Sequence, residues 1–250
     1  MKKKVLLSLT FILGFLASGS VHAQVKKADL TQIIESVNRK NNRMRYFRDK
    51  NTKLIVTRSD ADVLSDGDIS KVPNEKKIRD RHHQTLLFSG LKLNPYAINY
   101  TVIPDEMRHR ITLKSNGIKM KSIYYVKDIM TGKYSFGIVA DIGPGGQVTN
   151  GEFSVHQILD LNLHVDIRTG TGGKDANDIV TIIFPHSDEI IALNDIKRLI
   201  DEGLQGALQN RINEEGLKLL KKYSDLSKSK NLESIMDAIK AETKSVKVYD

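Results

Sequence analysis

The stretch that decides the fold is Tyr134-Ser-Phe-Gly-Ile-Val-Ala-Asp141-Ile-Gly-Pro-Gly-Gly-Gln-Val-Thr-Asn-Gly151-Glu152-Phe-Ser-Val155. It begins with an apolar run, typical of a buried strand, that ends in the carboxylate of Asp141. A loop rich in Gly, Pro and Asn follows, and a Gly-Glu pair then opens a predicted helix. Because this loop composition suits a tight return, we expect Asp141 and Glu152 to meet at one edge of a sheet.

The chain around this stretch, from 53 to 190, has the pattern of a β-rich domain. Short apolar or β-branched runs alternate there with Gly, Pro, Asn and Asp. The predicted strands are 54–57, 85–88, 98–103, 111–113, 122–126, 134–140 and 179–184. One predicted helix interrupts them, with Val155, Ile158 and Leu159 on one face and Ser154 as its N-cap.

The first 23 residues have the features of a cleaved signal peptide. Lysines at 2–4 precede an apolar stretch at 5–17, and Val21-His-Ala23 fits the small-x-Ala cleavage rule. No Cys follows the apolar stretch, so the bacterial lipoprotein class is excluded. We therefore expect a secreted or periplasmic protein with no membrane span after cleavage.

The net charge of +9 is unevenly distributed along the 250 residues. Residues 24–52 hold eight basic and three acidic side chains, whereas residues 53–190 hold seventeen of each. Leu30, Ile33, Ile34 and Val37 have helical spacing, so residues 24–52 are predicted to form a helical basic lead. A nucleic-acid arm is the weaker interpretation, because the protein is predicted to be exported and the segment lacks interleaved aromatics.

Residues 191–250 are predicted to form a helical tail. Apolar residues are in helical register over 194–221, where Gly203, Gly206 and Gly216 weaken or break the pattern. A last helix is predicted at about 231–243. The predicted organisation is thus a signal peptide (1–23), a helical lead (24–52), a β-rich domain (53–190) and the tail (191–250).

Several classes of site are excluded or disfavoured. The chain has no Cys, which removes disulfides, thiolate zinc sites and cysteine nucleophiles. The Gly-rich segment 168–174 begins with Arg168 and is followed by Asp175, so it is not a phosphate loop. The half-motif at 62–67 lacks the ligands of a calcium loop. We therefore predict no cofactor and no metal.

Asp141 and Glu152 are the residues that could carry chemistry. Two carboxylates across a cleft are what glycoside hydrolysis requires, one to protonate the leaving oxygen and one to activate water. The alternative is that both are ordinary turn and helix-capping residues.

The stretch resembles the signature of the glycoside hydrolase family 75 chitosanases. The matching blocks are Asp141-Ile-Gly-Pro144 and Gly151-Glu-Phe-Ser-Val155, with other blocks in the same order over about residues 53–190. The resemblance implies an inverting endo-hydrolase of β-1,4-linked glucosamine polymers, with Asp141 and Glu152 as the catalytic pair. We expect Glu152 to be the general acid and Asp141 the base, but the reverse stays open, because a helix N-terminus lowers the pKa of a carboxyl group and the end of an apolar strand can raise it. The resemblance also makes Asp62, Asp66, Asp68 and Gln84 candidates for substrate binding, although the acids of this segment are equally well explained as turn formers. Trp is absent, so sugar stacking would fall to residues such as Tyr96, Tyr100, Tyr124 and Tyr125.

A fainter resemblance connects the same pattern with murein lytic transglycosylases that are built on a six-stranded double-psi barrel. It implies a mainly β fold, a double-psi-type barrel with one inserted helix between the helical lead and tail. It also leaves open a second substrate, peptidoglycan. A third hypothesis is a glycan-binding envelope protein that has lost catalysis. The expected partner in every case is a polysaccharide, not nucleic acid; the sequence does not determine the oligomeric state.

Overall fold

Strands predominate in the part of the chain that the computed structural model describes, which is residues 28–37, 43–64, 87–88, 91–104, 107–142, 151–167, 170–225 and 231–243. The strands are β1 (Leu30–Val37), β2 (Arg43–Asp49), β3 (Ile55–Leu64), β4 (Leu87–Phe88), β5 (Leu91–Lys92), β6 (Tyr100–Ile103), β7 (Ile123–Asp128), β8 (Tyr134–Ile142), β9 (Glu152–Ser154), β10 (His164–Asp166) and β11 (Thr171–Ile183). The helices are α1 (Met107–Ser115), α2 (Val155–Asp160), α3 (Leu193–Asp201), α4 (Gln205–Asp225) and α5 (Asn231–Thr243).

Six of the strands close into a barrel. The ring runs β3–β9–β6–β8–β7–β11 and returns from β11 to β3. The β3–β9 and β6–β8 pairs are parallel, and the other four pairs are antiparallel. The sequence-based prediction of a mainly β, six-stranded barrel of the double-psi type is therefore confirmed.

The pairing pattern has a pseudo-two-fold relation between the halves of the barrel. Exchanging β3, β6 and β7 with β8, β9 and β11 leaves every pairing and its direction unchanged. Under this exchange the acidic end of β3 corresponds to the end of β8 that carries Asp141. The two strand ends that bear carboxylates are thus equivalent positions in one architecture.

One hydrophobic core joins the barrel to the C-terminal helices. Tyr124 and Phe153 are completely buried with their ring centroids 6.3 Å apart, and both belong to the same cluster as Ile212 on α4 and Ile239 on α5. Burial of this apolar surface is the main favourable term for folding. The helical tail therefore contributes to the stability of the barrel.

The N-terminal lead is a β-hairpin, so the prediction of a helix there was wrong. Strands β1 and β2 pair antiparallel, and β2 continues the sheet onto β3. A β-bulge at Ile33 inserts one extra residue into β1 and interrupts its strict alternation. The apolar residues of this segment have spacings of three and four, the pattern of a helix, but they lie on both faces of the strand, since Leu30 pairs with Asp49 and Ile34 with Tyr46.

A second local prediction also failed, at residues 111–113, which lie in helix α1 and not in a strand. The run is too short for its period to distinguish the two structures. The decisive pair is His109 and Leu113, which are buried four residues apart on one helical face. Ser154 caps helix α2 as predicted, by accepting a hydrogen bond from the Gln157 amide at 3.3 Å.

The described part of the tail holds three helices, and the first two are separated at a glycine that the sequence indicated. Gly203 adopts a φ of 72° between α3 and α4, a conformation that favours glycine. Gly206 and Gly216 lie inside α4 instead of ending it. At Gly216 a Cβ would lie 2.4 Å from the Phe136 ring, so this glycine allows the helix to pack closely on β8.

Candidate active site

Glu152 is the first residue of the short strand β9 and lies beside Asp62 of β3. The two are paired Cα partners in a parallel arrangement, so their side chains project from the same side of the sheet. Neighbouring strands are about 4.8 Å apart, which sets the approximate Cα separation of this pair. Both side chains are half-buried.

This position differs from the predicted one, in which Glu152 opens the helix. The helix begins only at Val155, after its N-cap Ser154. The field of a helix N-terminus, which stabilises a carboxylate, acts mainly within the first turn. Glu152 therefore lies outside the first turn of α2, and its environment is set by the neighbouring strands.

Asp141 lies on β8, across β6 from Glu152, and projects from the same face of the sheet. Thr101 of β6 pairs with Phe153, so the next residue, Val102, faces the same way as Glu152. Asp141 pairs with Val102 after a bulge at Ala140. Asp141 and Glu152 thus lie on one face, two strand spacings or about 10 Å apart at their Cα atoms.

The backbone of Glu152 is fixed from β6. The Thr101 hydroxyl donates to the Glu152 carbonyl at 2.7 Å, and the Tyr100 amide donates to the Ser154 hydroxyl at 3.3 Å. These contacts compensate for the shortness of a strand that has only three residues.

Asp60 is a further carboxylate on this face, and the sequence analysis did not single it out as a site residue. It lies two residues before Asp62 on β3 and therefore projects to the same side. The Gly151 amide donates to its Oδ1 at 3.3 Å. The signal was present in Ser59-Asp60-Ala61-Asp62-Val63, where acids alternate with small or apolar residues as in a half-buried strand.

The carboxyl group of Asp60 is the strongly perturbed one on this face. Burial raises its pKa to about 7, and the neighbouring charge of Asp62 adds to the increase. The Gly151 amide opposes it by favouring the ionised form. Asp60 therefore changes its protonation state near neutral pH.

Strand β11 supplies further charged groups opposite Asp60. Its register shifts between Lys174 and Ile179, so the segment 175–178 bulges out where β3 carries Asp60. Arg58 contacts Asp178 at 3.6 Å, and Lys174 bridges Asp178 at 3.2 Å and Asp128 at 3.1 Å. The nearby cations are thus engaged by carboxylates of β7 and β11.

A tyrosine of the N-terminal hairpin lies within the electrostatic range of Glu152. Burial raises the pKa of the Tyr46 phenol, and the charge of Glu152 raises it further. Tyr46 pairs with Thr57 at the start of β3. The hairpin is thus part of the surroundings of the candidate site.

The predicted site residues have different outcomes. Asp62, Asp141 and Glu152 are brought to one face, and Asp62 lies on a strand, which rules out a turn-forming role for it. Asp66, Asp68, Gln84 and the loop 143–150 lie outside the described residues.

Tyr100 and Tyr124 are completely buried and Tyr125 is nearly so, which contradicts the expectation that they stack on sugars. Tyr96 is half-buried, and its hydroxyl donates to the Ile167 carbonyl at 3.2 Å.

Two further findings concern metal ions and membranes. Among the described residues, no group of three His, Asp or Glu side chains is placed to hold a metal ion. None of the described helices combines the length and apolar character needed to cross a bilayer.

Comparison with known proteins gives no relative from which a function could be transferred. No family model matches the chain, and no curated protein matches it at a significant level.

Proposed function

We propose that the chain is an exported glycoside hydrolase that cleaves β-1,4 linkages in a glucosamine-containing polysaccharide. The observation that carries the proposal is the row of half-buried carboxylates Asp62, Glu152 and Asp141 on one face of neighbouring barrel strands. Acid–base hydrolysis of a glycoside needs two carboxyl groups that flank the scissile bond at a set separation.

The spacing of Asp141 and Glu152 suits an inverting reaction. Inverting enzymes separate their two carboxyl groups by about 6.5–9.5 Å to leave room for a water molecule. A Cα separation of about 10 Å, with side chains on the same face, is compatible with that range. In this proposal Glu152 protonates the leaving oxygen, and Asp141 takes a proton from the attacking water.

The charge of this face favours a cationic polymer. Asp60, Asp62, Glu152 and Asp141 project from it, while the segment 53–190 as a whole is neutral. A local acidic field attracts ammonium groups and increases the rate of productive encounter. This supports a substrate that contains free glucosamine.

The test is the release of new reducing ends from chitosan samples of several degrees of acetylation by purified residues 24–250. We expect turnover by the wild type, loss of turnover in Glu152→Gln, and full turnover in Glu214→Gln, a control whose side chain is exposed on α4. Absence of wild-type turnover on every sample would overturn the proposal. Turnover that survives Glu152→Gln would overturn the assignment of the residue alone.

A second candidate is a lytic enzyme that acts on peptidoglycan. The feature that favours it is Asp60, a single carboxyl group with its pKa raised to about 7, because a group of this kind can donate and accept a proton near neutral pH. Release of anhydro-muropeptides from isolated sacculi would select this function. Tight binding to either polymer without turnover would instead identify a glycan-binding protein that has lost catalysis.

A further inference from the structure

Gly151 is held between two residues of β3. Its amide donates to Asp60 Oδ1 at 3.3 Å, and its carbonyl accepts from the Asp62 amide at 2.8 Å. A Cβ at this position would lie 2.4 Å from the Ser59 hydroxyl and 2.6 Å from both the Asp60 carbonyl and the Phe153 ring. The backbone therefore approaches β3 more closely than any residue but glycine allows.

This contact determines the position of Glu152. Glu152 directly follows Gly151 and is the first of only three residues in β9. A strand this short has few ladder hydrogen bonds of its own, so the two bonds at Gly151 are a substantial part of its attachment to β3. They fix the register in which Glu152 stands opposite Asp62.

We propose that Asp60 is a positioning residue of this site, whose carboxyl group holds the Gly151 amide, and with it Glu152, in place. The proposal rests on the proposed function for its consequence in catalysis. It concerns a residue that acts through Gly151 and Glu152, so no contact of Asp60 with substrate is required.

Charged side chains of its own strand and of the neighbouring strands surround Asp60. The charged groups around it are Asp62 on its own strand, Glu152 on β9, Asp175 and Asp178 in the bulge of β11, and the cations Arg58 and Lys174. The two cations pair with Asp178 and Asp128. The hydrogen bond between the Gly151 amide and the Asp60 carboxyl group thus lies among charged side chains of β3 and β11.

Two substitutions distinguish the hydrogen bond of the Asp60 side chain from its charge. Asp60→Asn keeps an oxygen that can accept from the Gly151 amide but removes the charge, whereas Asp60→Ala removes both. Asp175→Asn is the matched control, because it removes an exposed acid near Asp60 that makes no hydrogen bond to Gly151. Each variant is measured by hydrogen exchange of the Gly151 amide and by the pH profiles of kcat and KM.

We expect Asp60→Ala to accelerate exchange of the Gly151 amide about tenfold, as befits one lost hydrogen bond. Its kcat falls by about 10- to 100-fold with little change in KM, because a small displacement of a reacting group costs that much. Asp60→Asn keeps slow exchange and near-normal kcat at pH 5.5. Rescue of both readouts by Asn, which keeps the acceptor oxygen without the charge, is the signature of a role that acts through the Gly151 amide.

The outcomes distinguish this proposal from the proposed function. Wild-type exchange and kinetics in Asp60→Ala would overturn the positioning role, and an Asp60→Asn variant as inactive as Asp60→Ala at every pH would assign proton transfer to Asp60 instead. If Asp60→Ala does not fold, Asp60→Ser takes its place, because its shorter side chain also withdraws the acceptor from the Gly151 amide, and wild-type exchange and kinetics in that variant overturn the proposal. A wild type without turnover on any polymer overturns the proposed function, and exchange of the Gly151 amide then decides the positioning role by itself.

Discussion

Asp62 and Glu152 come from opposite halves of the chain and stand side by side as partners on two parallel strands. Asp62 is also the partner of Gly173 on its other edge, so it is held in the centre of the β9–β3–β11 sheet. The acidic pair is therefore part of the barrel wall and depends on closure of the ring.

The pair Asp141 and Glu152 gives the most direct prediction about activity. We expect Asp141→Asn and Glu152→Gln each to lower kcat by about 10²- to 10⁴-fold, the usual contribution of a general acid or base. Because both substitutions preserve shape, the melting temperature should stay close to that of the wild type. Reducing-end assays with parallel thermal melts check this, and an equal loss of folded protein would contradict it.

Gly151 gives a prediction about stability that can be paired with an internal control. Gly151→Ala places a Cβ within 2.6 Å of Ser59, Asp60 and Phe153 atoms, and we expect overpacking to lower the free energy of unfolding by about 1–3 kcal/mol. Gly206→Ala, in α4 with no atom within 4 Å of its Cβ, should raise it by about 0.4–1 kcal/mol. Urea denaturation measures both, and a Gly151→Ala variant as stable as Gly206→Ala would refute the close approach.

The raised pKa of Asp60 predicts a specific pH dependence of stability. In the folded protein its pKa is about 7, well above the usual value of an aspartate in an unfolded chain. Between these values the folded state binds the extra proton, so the stability that Asp60 contributes is present at acid pH and is lost as the pH rises towards 7. After allowance for partial exposure this amounts to about 2–3 kcal/mol.

The comparison of wild type with Asp60→Asn isolates this effect, because the other acids are common to both proteins. We expect Asp60→Asn to gain stability relative to the wild type by about that amount between pH 4 and pH 8. Urea titrations at intervals of pH provide the measurement. A difference that stays constant across the range would show that Asp60 titrates normally.

Gln209 predicts how strongly the helical tail supports the barrel. Its side chain accepts from the buried Asn99 amide at 2.7 Å and donates to the Phe136 carbonyl at 3.2 Å. Gln209→Ala leaves these backbone groups without that partner, which should cost about 1–3 kcal/mol in the free energy of unfolding. Asn210→Ala, on the exposed side of the same helix, is the control and should change stability by less than about 0.5 kcal/mol.

The β-rich character of the domain was predictable because most of its strands are short β-rich runs bounded by turn residues, whereas the six-stranded barrel was implied by the resemblance to murein lytic transglycosylases. The strand that carries Asp60 was underestimated, since the prediction ended it at 57 while the structure extends it to Leu64. Acidic residues have low β propensity, and only pairing with β9 and β11 makes a strand of this segment. The perturbed carboxyl group of Asp60 was missed for the same reason, because its burial depends on strands distant in sequence.

The N-terminal hairpin shows how tertiary pairing replaces a local signal. Its apolar spacing is helical, but pairing with β2 makes it a strand, and a bulge at Ile33 that the sequence does not signal puts Leu30 and Ile34 on opposite faces. Two of its acids are paired with its own basic residues, as Glu35 contacts Arg45 at 3.0 Å and Asp29 contacts Lys50 at 2.9 Å. Because both partners belong to the segment, its net excess of positive charge is unchanged.

The position of β2 has a consequence for how the protein can be shortened. Residues 55–57 of β3 pair with β2, and residues 62–64 pair with β9 along the same edge, since β11 occupies the opposite one. The two partners thus share that edge in succession, and Tyr46 of the first lies within the field of Glu152 of the second. Trimming the chain to the nominal barrel at residue 53 would uncover backbone next to the acidic pair, so the hairpin is a structural neighbour of the candidate site and not a dispensable leader.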